Sequence, residues 1–448
     1  MRCPTTVLAI TLQICVVLLS TPGNAAASVI NAATCLVADV NAAVAQATAN
    51  DQVNIPPGDC VWTAQLTVTK GIVIAGAGEG QTILRDNVTK NGSGTSRLIM
   101  FNVSSPARFR LTALSIVGQA TDPSVFNQGH IYVTGTSKAF RIDHLTVTNP
   151  QTSLIRVDGD AWGVIDHVKL TGNRLLLQAG HSNWGGGTYG DGSWAAPLTL
   201  GTEQAIYVED NILTASNNPF TTNFIDSLDG ARLVVRRNTI VQGNVTSHGT
   251  DTGGRRRSVR SMEIYENAFT FPNGMAVDFI VWMRGGTGTV FNNTITVPGG
   301  LNSVVKATNC RDAGSNCGPG DTWEPFDTCN GTSPYDGNQP GQNGYRCVDQ
   351  PGAGTSRNLN GLAVPSLAPV ANALEPFYVW ANVVTAPGHR LVSPSAHVQQ
   401  NRDYYVGTPR PGYTPYIYPH PLTGLGSAPP PTTAPAAPKN LRVTGGGF

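Results

Sequence analysis

The chain has 448 residues, 13% of them charged, with a formal net charge of +1 and 50 glycines. That balance argues against a nucleic-acid partner and leaves an acidic polymer open, because local charge decides there. So few charges and so many glycines suit short strands joined by tight turns, and a solenoid can absorb this length without a second domain.

The first 27 residues read as a secretory signal: Arg2 as basic start, a mostly apolar Val7 to Leu19, and small residues at Ala25-Ala26-Ala27. The apolar run is too short and too interrupted (Thr11, Gln13) to span a bilayer. Cys15 invites a lipoprotein reading, but Ile14 stands where a small residue is needed. The expected location is extracellular. Cys3 and Cys15 leave with the signal, so Cys35, Cys60, Cys310, Cys317, Cys329 and Cys347 remain, an even number for an oxidising compartment. Cys35 and Cys60 flank the first predicted helix and strand and are expected to pair. The other four lie in one Gly/Pro/Asp-rich stretch, 306–350, expected to be a loop closed by two bridges of open connectivity. Their uneven spacing of 7, 12 and 18 disfavours the rival zinc site.

Beyond the signal, Val40, Ala43, Val44 and Ala47 have helical spacing, with Asp39 as N-cap, and predict a helix up to Ala49. Strand signals follow at Val53 to Gly58 and Leu66 to Val68. A helix here would cover the open end of a stack. The Gly76-Ala77-Gly78-Glu79-Gly80 run precedes another strand pattern rather than a helix, so it reads as a turn and not a phosphate loop.

From Ile142 a polar column returns once per coil: Ile142-Asp143-His144, Ile165-Asp166-His167, Glu209-Asp210-Asn211, Arg236-Arg237-Asn238, Tyr265-Glu266-Asn267 and Phe291-Asn292-Asn293. The intervals between the final His or Asn residues are 23, 44, 27, 29 and 26. An apolar residue stands three positions before each (Val164, Val208, Val235, Ile264, Val290), with Arg141 the exception. Leu213, Ile240, Phe269 and Ile295 follow two positions after the later ones. Repeats of this length mean stacking units. With no helical pattern between the strands, they predict an all-β, right-handed parallel β-helix over about Ala33 to Val305, with Gly180 to Gly201 a long excursion from one coil. His144 and His167, with Asp143 and Asp166, are read as turn-column residues. Residues 351–422 are expected to add C-terminal β-helix coils or an extended segment packed on the solenoid: strand-like runs resume at Phe377 to Trp380, and Asn401 to Pro421 is expected to lie extended against its side. Residues 423–439 form a Pro-rich linker. The final Lys439 to Val443 resembles the first strand of a fibronectin-type module, as a remnant or the start of a truncated one.

The cap Asp39-Val40-Asn41-Ala42-Ala43-Val44 leading to Asn54-Ile55-Pro56-Pro57-Gly58, the Ile-Asp-His coils and the Asn column together resemble the pectate-lyase-like β-helix superfamily. Trp194 to Pro197, Ala205 to Asn211 and Tyr416 to Leu422 resemble recurring pieces of secreted bacterial β-helix proteins. The resemblance implies the fold over Ala33 to Val305. It leaves activity open among lyases, hydrolases, esterases, tailspikes and adhesins. The chain departs from pectate lyases in lacking their two arginines around a proline.

Aligned on its Asn residues, Asn223 to Asn238 superposes without a gap on Asp278 to Asn293, which sets Asp226 against Val281, Ser227 against Trp282 and Asp229 against Arg284. Between them, Ser247 to Arg260 holds the densest group of ionisable residues in the chain. The period of two points Arg232, Arg236, Glu209, Tyr207, Glu263 and Tyr265 outward.

Two chemistries suit such a face. β-Elimination on a uronic acid needs a base, for which His248 or an arginine would serve, and a cation or metal at the carboxylate. Asp226, Asp229 and Asp251 are the candidate Ca²⁺ ligands. Glycoside hydrolysis needs paired carboxylates, for which the same aspartates would serve. The candidate catalytic set is His248, Asp226, Asp229, Arg232 and Arg236, all but Arg236 expected to line one groove. Trp184, Tyr189, Trp194, Arg257, Arg260, Trp282 and Arg284 are candidate substrate contacts, with the aromatics of the excursion folded over the groove. Competing readings are an ion-pair ladder for Arg236 and turn chemistry for Asp229-Gly230. The expected protein is a monomer that binds polysaccharide as a lyase, a hydrolase or a non-catalytic surface binder.

Overall fold

The computed structural model describes residues 27–89, 96–118, 129–186, 189–216, 221–249, 257–308, 349–355, 373–395 and 398–424. The signal segment, Asp251, the four later cysteines, the Pro-rich linker and the tail lie outside these. Every strand pairing between named strands is parallel, and three faces recur in each coil. Following one coil, Ile206–Glu209 lies on the first face, Ile212–Thr214 on the second and Thr222–Ser227 on the third. The result is a three-faced parallel β-helix whose first face can be followed from Val29–Asn31 to Tyr404–Val406.

The interior is a file of stacked aliphatic side chains. On the first face the register runs Ile30, Val53, Ile74, Leu111, Ile142, Ile165, Val208, Val235, Ile264, Val290, Val379. From Val53 onward each is essentially inaccessible. Each such side chain is worth about 1.5–3 kcal/mol on burial. The second-face file Leu213, Ile240, Phe269, Ile295 also has the register expected from sequence.

The corner between these two faces explains the asparagines. Asp210, Arg237, Glu266 and Asn292 have φ of 53–57°, the left-handed region, and turn the chain sharply. The next residue in each coil is the buried Asn. The backbone N–H groups of Asn211, Asn238 and Asn267 donate to the amide oxygen one coil on, each at 3.0 Å, and each side-chain amide also donates there at 2.9 Å. Asn382 extends the ladder by one more coil.

The two histidines are not part of that ladder, which corrects the expected alignment by one residue. His144 and His167 occupy the left-handed position (φ 50° and 53°), level with Asp210, while Val168 aligns with Asn211 and donates its backbone N–H to the Asn211 amide oxygen at 2.8 Å. Accordingly Val164 lies outside the core against Tyr207, and Ile165 is the interior residue.

Two further corrections concern the cap helix and the third face, and the later coils lie between them. The cap helix is Val37–Gln46, starting earlier than expected, because Leu36 rather than Asp39 precedes it; Asp39 sits in its first turn and accepts from Thr34. Its buried Val40, Ala43 and Val44 cover the open end, and Cys35–Cys60 ties that cap down. The coils continue past Val305, through Leu301–Ala307, Phe377–Trp380, Val383–Thr385 and Arg390–Pro394. On the third face a bulge between Asn223 and Ile225 shifts the register, so Asp226 aligns with Thr246 and Trp282 rather than Val281.

A C-terminal segment, 408–424, then runs back along the outside of the first face. Arg410 reaches Thr287 and Pro376, Tyr413 donates to Glu263, Arg236 donates to the carbonyls of Tyr416 and Ile417, and Arg141 donates to Thr423. This is the strap expected from the Tyr/Pro-rich sequence.

Candidate groove on the third face

His248 follows the short strand Gly243–Thr246, and Asp226 stands on the preceding coil in Thr222–Ser227. Their side chains meet, Nε2 to Oδ2, at 3.0 Å. Arg284, at the end of the next third-face strand, brings a guanidinium nitrogen to within 3.0 Å of His248 Nδ1. Guanidinium only donates, so Nδ1 accepts; the imidazole is then neutral, with its proton on Nε2 donated to Asp226. Arg284 is itself held by the Ser247 carbonyl and stacks 4.5 Å from the Trp282 ring.

Asp226 also receives Thr246 Oγ1 at 3.2 Å, Gln178 Nε2 at 3.3 Å and the Ser227 amide at 3.0 Å. Burial would raise its carboxyl; the hydrogen bond from His248 and the field of Arg284 outweigh this and hold it below the usual carboxylate range. The three residues open into a groove of about 350 Å³, also lined by Asn173, Arg174, Thr222 and Asn223.

The other expected site residues go elsewhere. Asp229 is absent from the groove lining; it takes the left-handed turn position before Gly230 (φ 50° and 73°) and accepts Ser182 Oγ at 3.0 Å. Arg232 faces the excursion, donating to Ser193 Oγ and O and to Thr199, with the Trp184 ring 4.4 Å away. Desolvation, with Arg260 nearby, lowers it to about 9. Arg236 is the ladder residue, paired to Glu209 at 2.5 Å, but buried rather than solvated. Arg257 is buried between Asp349 and Asp191, and Arg260 pairs with Glu375.

The excursion therefore covers the first-face side and not the groove. A close backbone approach fixes its path: a Cβ on Gly190 would lie 2.2 Å from the Asp229 carbonyl carbon. Trp194 is fully buried and donates to Ser258 at 2.8 Å, which overturns its expected role as an open sugar platform. Trp184 packs on Trp162 and His181, and Tyr189 is exposed.

Thus Asp226, His248, Trp282 and Arg284 come together and Asp229 and Arg232 do not join them. Gln178 and Thr246 escaped the sequence reading. They share the outward column of Asp226, a signal hidden by the one-residue bulge. Among the described residues no three His, Cys, Asp or Glu side chains are grouped to hold a metal; of the expected Ca²⁺ ligands, Asp226 lines the groove, Asp229 does not, and Asp251 lies outside the described residues. No helix of the described residues is long and apolar enough to cross a membrane.

Fold and groove define a class: an all-β parallel solenoid with an ionic groove on its outer surface. No family model, curated protein or solved structure matches the chain.

Proposed function

We propose that the protein is a secreted, pectate-lyase-like β-helix enzyme that cleaves an acidic polysaccharide by β-elimination in the third-face groove. The observation that carries this reading is His248 held between Asp226 and Arg284. A uronate carboxylate is the natural competitor for Arg284, since guanidinium binds carboxylate bidentately. Once Arg284 turns to it, Nδ1 of His248 loses its donor and becomes a base for the proton on the carbon beside that carboxylate. Asp226, ionised at neutral pH, holds the Nε2 proton and stabilises the imidazolium that forms. The C–O bond one carbon further breaks with its electron pair going to the leaving oxygen, which takes a proton from the imidazolium or from water, and a double bond is left in the sugar. Trp282 offers a ring for stacking.

A hydrolase needs two carboxylates about the scissile bond, and among the described lining residues Asp226 is the single one. A non-catalytic binder is the second reading, favoured by one observation: both imidazole nitrogens are already engaged. The Cys35–Cys60 disulfide supports an oxidising compartment.

Incubating the purified protein with pectate, alginate and glycosaminoglycans, with and without Ca²⁺, tests the proposal by ultraviolet absorbance from new double bonds. Absorbance that rises with the wild type and not with His248→Asn is expected. Binding with a flat trace and no new reducing ends would leave the binder; new reducing ends without absorbance would leave the hydrolase.

A further inference from the structure

The groove holds a second arginine that the elimination step does not use. Leu177–Ala179, Thr222–Ser227, Gly243–Thr246 and Val277–Met283 are consecutive strands of the third face. Arg284 stands just after the last of them, Arg174 three residues before the first, and both line the groove. The first and last of these strands lie three spacings apart, about 14 Å along the solenoid axis. Arg174 is fixed by its own corner: Nε donates to the Gln151 carbonyl at 3.1 Å and Nη1 to the Asn173 carbonyl at 3.2 Å. Both acceptors are neutral, so they aim the guanidinium without cancelling its charge. Asn173 is tied to the next coil in turn, donating to the Ser216 carbonyl at 2.6 Å and accepting the Ser216 amide at 3.0 Å.

We infer that Arg174 is a second carboxylate subsite, binding a uronate further along the same chain while Arg284 binds the one beside the cleaved bond. The inference rests on reading the groove as a site for an acidic polysaccharide. Among the described lining residues two guanidinium groups face one carboxylate, Asp226, and His248 is neutral in its hydrogen-bonded form. The positive charge left over favours an anion. Guanidinium also presents a planar fork that takes a carboxylate in two parallel hydrogen bonds. Three strand spacings exceed the length of one sugar ring, so a chain engaged at Arg284 reaches Arg174 only through a further unit. Asn223, on the strand next to Arg174, lines the stretch between them and suits sugar hydroxyls. The ligand this arrangement selects is an extended chain with repeated carboxylates, over a single uronate or a run of neutral sugars.

The test is calorimetric binding of galacturonate and mannuronate oligomers of increasing length to the full chain carrying His248→Asn, which leaves the ligand uncut. Adding Arg174→Gln should weaken the longest oligomers about tenfold, the order of a lost hydrogen bond to a charged group, and leave dimers unchanged. Arg174→Lys should recover part of the loss, since it keeps the charge and not the fork. Methyl-esterified oligomers should not distinguish the proteins. A loss equal at all lengths, a loss that persists on methyl esters, or no loss at any length would each overturn the inference. Binding is read apart from turnover, so the two readings separate. A length-dependent loss with no double-bond formation by the wild type keeps the subsite and removes the lyase. Double-bond formation by Arg174→Gln with an unchanged KM on the polymer keeps the lyase and removes the subsite. Binding of neither series removes both.

Discussion

Two regions of this solenoid carry similar residues and end in opposite states. On the first face, Arg232, Arg236, Glu209 and Glu263 point away from the core, yet the excursion and the C-terminal strap cover them until each is buried. On the third face, Asp226, His248 and Arg284 also point away from the core, and a groove stays open beside them. Outward direction is set by the strand pleat, whereas access is set by segments that return from far along the chain. Charge on the exterior of a β-helix is therefore a site only where nothing comes back to cover it.

The sharpest way to break this comparison is Arg257→Ala. If the covered arginines are structural, removing one from between Asp191 and Asp349 should destabilise the chain by about 3–5 kcal/mol in denaturant unfolding. A substrate-binding arginine would lower affinity instead and leave the midpoint in place.

Acid titration separates the regions next. Burial outweighs the Tyr413 and Gly201 hydrogen bonds and pushes Glu263 up from 4.5 to about 7. The folded chain thus holds that proton more tightly than the unfolded chain, and stability should decline as pH rises from about 4.5 to about 7. Glu263→Gln should flatten that decline in pH-dependent melting. Asp226 has the opposite sign: its depressed carboxyl contributes stability above 3.8 that is lost as pH falls toward about 2.

Asn238→Leu should cost about 1–3 kcal/mol, because the Asn211 amides lose their acceptor inside the corner. Equilibrium unfolding measures it, and a neutral result would remove the ladder from the account of the fold. The smallest stability effect belongs to the open groove: His248→Asn should change stability by no more than about 1 kcal/mol while abolishing double-bond formation. Intact turnover would end the groove's claim.

Much of the fold was legible because stacked coils repeat one chemical environment at one spacing. Val208, Val235, Ile264 and Val290, each three residues before an Asn, gave the core register directly. Arg141 was the exception in that pattern, and the exception was informative. A charged residue cannot occupy the interior file, and its presence marked that the histidine coils sit one residue out of step. The site was less legible for the same kind of reason. A single bulged residue beside Phe224 moves Asp226 into the column of Trp282. Nothing local in Trp194 or Arg232 announces that they will be covered. His248 and Asp226 were found because both are ionisable in a chain with few charges, but their direct pairing is a property of the stacking alone.

The strap has a consequence for how the molecule comes apart. A stack of coils held by nearest neighbours alone would fray from its ends, each coil leaving nearly independently. Here Tyr413 is tied to Glu263 across 150 residues and Thr423 to Arg141 across 282. Coils from Phe140–Thr148 to Thr287–Phe291 are thereby joined by one late-synthesised segment. Such a tie converts gradual fraying into a shared transition. A segment synthesised after the coils becomes the latch on turns that were made long before it.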